Sequence, residues 1–185
     1  MRTANGCLMP YVYIGQVGLF FKEAGSGGIP VLLLHELGGS SESWREVIPR
    51  LASDRRVVAV DFRCAGRSEK PIGSFELSGL ANDIEALLQA LGLTDRVDVI
   101  GAALGSLVGA LLAIRHPARL RRLMMCAVAP DMAGPTRAYV SERAEKVREV
   151  GMRGSWRQAW RIRFRPATPS SGVCDNSGRL AIERA

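Results

Sequence analysis

Histidine is scarce in this chain. Its 185 residues hold two, His35 and His116, which leaves few imidazoles for acid–base work near neutral pH. Cysteine is sparse and scattered: Cys7, Cys64, Cys126 and Cys174 show neither Cys-x-x-Cys nor zinc spacing. That excludes a disulfide framework and suggests free thiols in a reducing, cytoplasmic setting. A long apolar run is also missing. The longest mainly apolar stretch, Val99 to Ile114, has 16 residues, short of the ~20 a membrane span needs. Its Gly101, Gly105 and Gly109 match the small-residue spacing of membrane helix dimers, but a strand followed by a helix explains it better. The first residues carry one charge and are interrupted by Pro10 and Gly15, unlike the unbroken ~7–15 apolar residues of a secretory signal. Lysine is limited to Lys22, Lys70 and Lys146, so an excess of arginine in any one segment carries no message.

What is present is ordinary for a soluble globular chain: 47% hydrophobic and 23% charged residues, long enough for one domain with a real core. The net charge is +7, of which residues 155 to 185 contribute +4 through six arginines against Asp175 and Glu183. The body of the chain gives a nucleic-acid reading little support.

Periodicity supplies the organisation. "YVYI", Gly15-Gln16 and "VGLFFKEA" read as a β-hairpin. "VLLLH" (31 to 35), "RRVVAVD" (55 to 61), "VDVI" (97 to 100) and "LRRLMMCAVA" (120 to 129) read as strands, several of them continuous apolar runs suited to a parallel sheet. Ser43 followed by Glu46 fits a capping box for a helix carrying Trp44, Val47, Ile48 and Leu51. Leu77, Leu80, Ala81, Ile84, Leu87, Leu88 and Leu91 hold helical spacing for four turns. Leu104, Leu107, Val108, Leu111 and Leu112 line another helix, which His116-Pro117 ends. "TRAYVSERAEKVREVG" predicts an amphipathic helix. Alternating strands and helices imply a mainly parallel sheet with helices on both faces. There are no internal repeats.

Three loops fall at carboxyl ends of strands, the edge where open parallel sheets bind ligands: "HELGGS" (35 to 40), "DFRCAGRS" (61 to 68) and "GAALG" (101 to 105). The last, in its strand–turn–helix setting, is similar to the nucleophile elbow Gly-x-Ser-x-Gly. On these motifs residues 10 to 152 resemble the amino-terminal portion of an α/β-hydrolase, with a β-hairpin, a mostly parallel sheet and the start of a helical cap. Within that superfamily the chain most resembles 3-oxoadipate enol-lactonases, and also the aminoacrylate or carbamate hydrolase of pyrimidine breakdown, whose elbow carries alanine.

The resemblance implies a division of roles. Ala103 stands at the nucleophile position and has no nucleophile. The N–H groups of Leu37 and Leu104 would form the oxyanion hole, and small Gly101 and Gly105 would let strand and helix pass closely. His35 matches the structural histidine of the oxyanion loop, and Asp61 matches an aspartate that braces the loop after its strand. Glu36 stands where the family more often has glycine and is a candidate general acid or base, or a loop residue. Cys64 and Ala65 depart from the usual Arg-Gly-x-Gly-x-Ser loop, in which glycine takes a left-handed backbone. Ser106 is a packing residue or a displaced nucleophile.

Neither histidine matches the family's late catalytic base. The resemblance therefore implies hydrolysis of small carboxylic esters, lactones or carbamates in relatives, without metal or organic cofactor. In this chain it implies little or no triad-type activity. Direct water attack, a non-hydrolytic reaction, an engineered replacement of serine, and a non-catalytic small-ligand binding protein all stay open.

The expected domains are a core over 1–133, a cap start over 134–154 and a basic tail over 155–185. In the tail the periodicity fails, as after truncation or a frame change. Its interleaved tryptophans and arginines admit a weaker nucleic-acid reading; the expected partners are a small-molecule ester, lactone or carbamate, with no nucleic acid and no membrane. An uncovered sheet edge would favour self-association.

Overall fold

The computed structural model describes residues 10–128 and 134–163, leaving aside the side chains of 135, 136 and 152–163. The chain separates into two compact units, Met1–Pro130 and Asp131–Ala185.

The first unit is a six-stranded sheet in the order β1-β2-β4-β3-β5-β6. The strands are β1 (Tyr11–Ile14), β2 (Val17–Ala24), β3 (Val31–Leu34), β4 (Val57–Val60), β5 (Val97–Ala102) and β6 (Leu120–Cys126). The helices are α1 (Ile48–Leu51), α2 (Leu77–Ala90) and α3 (Leu104–Arg115). β1 and β2 form the hairpin expected from the sequence, and β2 joins β4 antiparallel. The remaining pairs, β4 with β3, β3 with β5 and β5 with β6, are parallel.

Two-residue alternation divides the core between the two sheet faces. Leu32, Leu34, Val58 and Val60 point to one face, where they meet Leu80, Ile84, Leu87 and Leu88 of α2 and Val108 and Leu112 of α3. Val31, Leu33, Val57 and Ala59 point to the other, against Trp44, Val47, Ile48 and Leu51. This two-sided burial is why β3 and β4 read as unbroken apolar runs. Each fully buried leucine contributes about 1.5–3 kcal/mol, so most of the driving force lies on the α2–α3 face.

The segment after β3 departs from expectation. In place of one helix capped by Ser43, a 3-10 turn spans Ser41–Trp44 with Ser40 as its N-cap, and α1 is a single turn. Pro49 explains the break: it has no N–H to continue the helical ladder from the turn. Ser43 turns instead to Glu36, donating its hydroxyl to Oε1 at 2.9 Å.

At the other side of the sheet β6 pairs with β5 across a register shift at Val97/Asp98. There Arg121 grips Asp98 with two nitrogens, at 2.8 and 2.5 Å, with Arg55 a further 3.5 Å contact. Among the described residues β6 has no strand on its outer edge, and Met124 and Met125 stand 58% and 48% exposed.

The second unit contributes α4 (Gly134–Arg163), interrupted at Gly151, whose φ of 71° and ψ of 168° are not helical. The expected helix over 136–151 is present. The stretch after 154, where the periodicity fails, begins as helix: α4 resumes beyond Gly151 and runs to Arg163. Arginine, glutamine and alanine have high helix propensity, which sustains a helical backbone where no apolar period is present in the sequence. The remainder of the expected tail, 164–185, lies outside the described residues.

Candidate active site

The elbow forms where β5 ends and α3 begins. Ala103 links them at φ 45° and ψ −105°, a conformation that L-residues rarely adopt. Its neighbours enforce that shape. A Cβ on Gly101 would lie 2.5 Å from the carbonyl carbon and oxygen of Gly105 and from the nitrogen of Ser106. A Cβ on Gly105 would lie 2.2 Å from the Leu34 oxygen and 2.9 Å from the His35 oxygen. No side chain fits at either position, so the first turn of α3 is pressed against both β5 and the exit of β3. The tip's own polar groups are bound: its N–H donates to the Cys126 carbonyl at 2.8 Å, and its carbonyl accepts from Ser106 N at 3.0 Å and Leu107 N at 3.3 Å. The side chain at the tip is a methyl group.

The loop after β3 lies beside the elbow through that Gly105 contact. His35 is buried and its two ring nitrogens are committed. Nε2 accepts from Phe62 N–H at 3.1 Å, which leaves the proton on Nδ1, donated to the Glu36 carbonyl at 2.7 Å. Burial holds its pKa below the usual value, against weaker opposing effects from the Glu36 carbonyl, Asp61 and Glu36. The Glu36 carbonyl also accepts from Gly39 N–H at 3.0 Å, closing a tight turn with Gly38 at φ 79°. In a trans peptide the carbonyl and the following N–H point in opposite directions. Two donors on the Glu36 carbonyl therefore fix the Leu37 N–H outward from the turn. Among the described residues neither Leu37 N–H nor Leu104 N–H has an acceptor, and Leu104 opens α3, where free donors and the helix dipole favour negative charge. The Glu36 carboxylate folds back over the turn: its Oε1 would sit 2.3 Å from a Cβ on Gly39 and accepts from Ser43.

The loop after β4 is built on Asp61. Its buried carboxylate accepts Ser41 N–H at 2.6 Å and Arg67 N–H at 2.8 Å, joining this loop to the one after β3. A Cβ on Gly66 would fall 2.0 Å from Asp61 Oδ2. Ser68 completes the frame, donating to the Asp61 carbonyl at 2.6 Å and accepting from Phe20 N–H at 2.8 Å. Cys64 takes φ 65°, the left-handed backbone expected of glycine there. Arg63 pairs with buried Asp83 of α2 at 2.6 and 2.5 Å.

The structure thus brings His35, Glu36, Leu37, Asp61, Gly101, Ala103, Leu104 and Gly105 to one sheet edge. His116 is elsewhere, at the C-terminus of α3. The 12 residues of α3 separate it from Ala103 by about 18 Å. Ser106 is fully buried with its hydroxyl engaged by backbone, so it is not a displaced nucleophile. Sequence reasoning expected Asp61 to brace the loop after β4 but missed its donors, the Ser41 and Arg67 N–H groups, and the tie to the loop after β3; backbone donors leave no residue signature. It also missed the engagement of Ser106, for which a serine inside an apolar stripe was the available signal. A hollow of about 360 Å³ lined by Pro10, Phe21, Lys22, Glu23 and Ile48 lies on the β2 side, three strands from the elbow. Among the described residues no three His, Cys, Asp or Glu groups cluster as metal ligands, and no helix is long and apolar enough to cross a membrane.

Known proteins are similar to this chain in sequence and fold. The putative carbamate hydrolase RutD of Azorhizobium caulinodans is 36% identical over 115 residues, covering 62% of this chain and 43% of that protein. The soluble epoxide hydrolase of Corynebacterium sp. is 37% identical over 128 residues, covering 69% of this chain and 41% of that protein. The crystal structure of the enol-lactonase from Burkholderia xenovorans superimposes with a TM-score of 0.74 at 28% identity, covering 82% of this chain and 58% of that one. The chain spans less than half the length of these two curated relatives. A family model for the alpha/beta hydrolase fold matches residues 29–159, well over half of the chain, and the protein belongs to that family.

Proposed function

We propose that the elbow of this chain polarises the carbonyl of a small carboxylic ester, lactone or carbamate without forming a covalent intermediate. One observation carries the reading: the strained elbow is intact while its tip, Ala103, presents a methyl group. Leu37 and Leu104 N–H would hold the carbonyl oxygen, and position 103 would face the carbonyl carbon with no lone pair to attack it. Neither His35 nor His116 is placed to serve as a base there, because the ring nitrogens of His35 are taken and His116 stands at the far end of α3. Both features support a reading in which these residues carry out no triad-type hydrolysis. An oxyanion hole and binding alone leave about 10³–10⁴-fold catalysis over water. Glu36 is the carboxylate nearest in sequence to the hole. Its engagement by Ser43 supports a bracing role over proton transfer.

The experiment is pre-steady-state hydrolysis of p-nitrophenyl acetate by the parent chain, Ala103→Ser and Glu36→Gln. No burst is expected in any of them, with turnover that stays within about threefold, since a serine without a base is a weak nucleophile. A stoichiometric burst with strong rescue in Ala103→Ser would overturn the reading. Loss of turnover in Glu36→Gln without loss of stability would restore Glu36 as an acid or base. A ligand that raises Tm with no turnover in any variant identifies the non-catalytic binding protein instead. Exposed Met124 and Met125 support self-association along β6, which light scattering reads directly.

A further inference from the structure

We propose that Ser106 is the positioning residue of the elbow: its buried hydroxyl spans the turn and holds the tip so that the first N–H groups of α3 stay aimed at position 103. The proposal rests on the oxyanion reading of the elbow.

Ser106 is 0% exposed, on an α3 face otherwise formed by Gly105, Val108, Gly109 and Leu112. A hydroxyl there is costly unless bonded. Its Oγ lies 2.8 Å from the Gly101 carbonyl, 3.0 Å from the Cys126 carbonyl, and 3.1 Å from Cys126 N–H, which donates to it. With one proton to give, it donates to one of the two carbonyls while accepting from Cys126. Gly101 lies two residues before the tip and Ser106 three after, so the bond to Gly101 closes the elbow like a staple. The contacts to Cys126 add β6 to the same knot, because the Cys126 carbonyl also accepts the Ala103 N–H. β6 leaves the sheet at this point, through Ala127 at φ 52°. Two alanines in left-handed backbone, Ala103 and Ala127, flank one serine hydroxyl. Such conformations persist only where the surroundings over-determine them, and Ser106 is the polar group common to both.

The test uses a thiol reporter at the tip. In Ala103→Cys the new thiol sits at the N-terminus of α3, where donors and dipole lower its pKa. Its alkylation by iodoacetamide is followed against pH, with peptide mass mapping to separate it from the four native cysteines. Adding Ser106→Ala is expected to shift that profile up by about one pH unit and to slow alkylation near neutrality about tenfold. Ser106→Thr, which keeps a hydroxyl, is expected to restore it. Leu87→Ala, a core change on α2, is expected to lower stability without moving the profile. An unmoved profile in Ser106→Ala, or an equal movement in Leu87→Ala, would overturn the proposal.

Hydrogen exchange on the parent chain needs no variant. Slow exchange at the Cys126 amide is expected, and fast exchange counts against the knot if Ser106→Ala fails to fold. The two readings fail separately. A tip thiol of ordinary pKa in Ala103→Cys alone refutes the oxyanion reading, while Cys126 exchange still judges Ser106.

Discussion

Two of the loops at the carboxyl edge of the sheet, those after β5 and β4, hold non-glycine residues at positive φ by different means. After β5, Ala103 is held by close backbone packing that leaves neither Gly101 nor Gly105 room for a Cβ, with the Ser106 hydroxyl closing the turn onto Gly101. After β4, Cys64 sits in a loop organised by one buried carboxylate, Asp61, and the backbone N–H groups it accepts. Neither that packing nor the Ser106 bond involves the side chain at the tip, so the elbow keeps its shape with alanine there. The loop after β4 depends on the Asp61 carboxylate that lies within it. Scaffold and chemistry are thus separable in the first loop and entangled in the second.

The comparison breaks hardest at Gly105. Gly105→Ala places a methyl 2.2 Å from the Leu34 oxygen, and a stability loss of about 3 kcal/mol or more is expected in urea denaturation. An unchanged midpoint would show that the elbow is looser than its contacts imply. Asp61→Ala should cost about 2–3 kcal/mol, since it leaves Ser41 and Arg67 N–H groups without their charged acceptor. Its amide chemical-shift changes should concentrate in the loops after β3 and β4, and changes as large at Leu104 would contradict the separation drawn here. Cys64→Gly should raise stability by about 0.5–1 kcal/mol: strain relief of about 1–2 kcal/mol is partly offset by the greater unfolded-state freedom of glycine. A loss of stability there would mean that the exposed thiol contributes packing.

The last prediction concerns pH. His35 has a folded-state pKa below its usual 6.5 because it is buried, so the unfolded chain binds more protons just below that pH. Stability should therefore fall as pH drops below 6.5. Asp98 is held below its usual 3.8, chiefly by its hydrogen bonds from Arg121. Its contribution is present above 3.8 and is lost as pH falls through the lower folded-state value. Between the two values the slope belongs to His35 among these two groups. His35→Asn should flatten the slope in urea titrations across that window, and an unchanged slope would remove His35 as its source.

Much of the fold was legible because the relevant patterns are local. The hairpin turn at Gly15-Gln16, the apolar runs of β3 and β4, and the four-turn periodicity of α2 each announce their element within a short window. The helix after β3 was misread because the capping pattern of Ser43 and Glu46 outweighed Pro49, whose missing N–H decides the ladder. The continuation of α4 past residue 154 was not legible because helical propensity without an apolar period gives no pattern to read.

By itself the sequence determined the order of elements, the two-sided burial of the central strands, and the absence of a nucleophile at position 103. These follow from residue type and spacing alone. Only the tertiary structure decided that Asp61 joins two loops, that both nitrogens of His35 are occupied, that Glu36 turns to Ser43, and that Ser106 ties the elbow to β6. Each of those rests on groups between 6 and 27 residues apart in the chain, apart from the local His35–Glu36 bond. Many of the partners are backbone N–H and carbonyl groups, which every residue carries and no sequence pattern reveals.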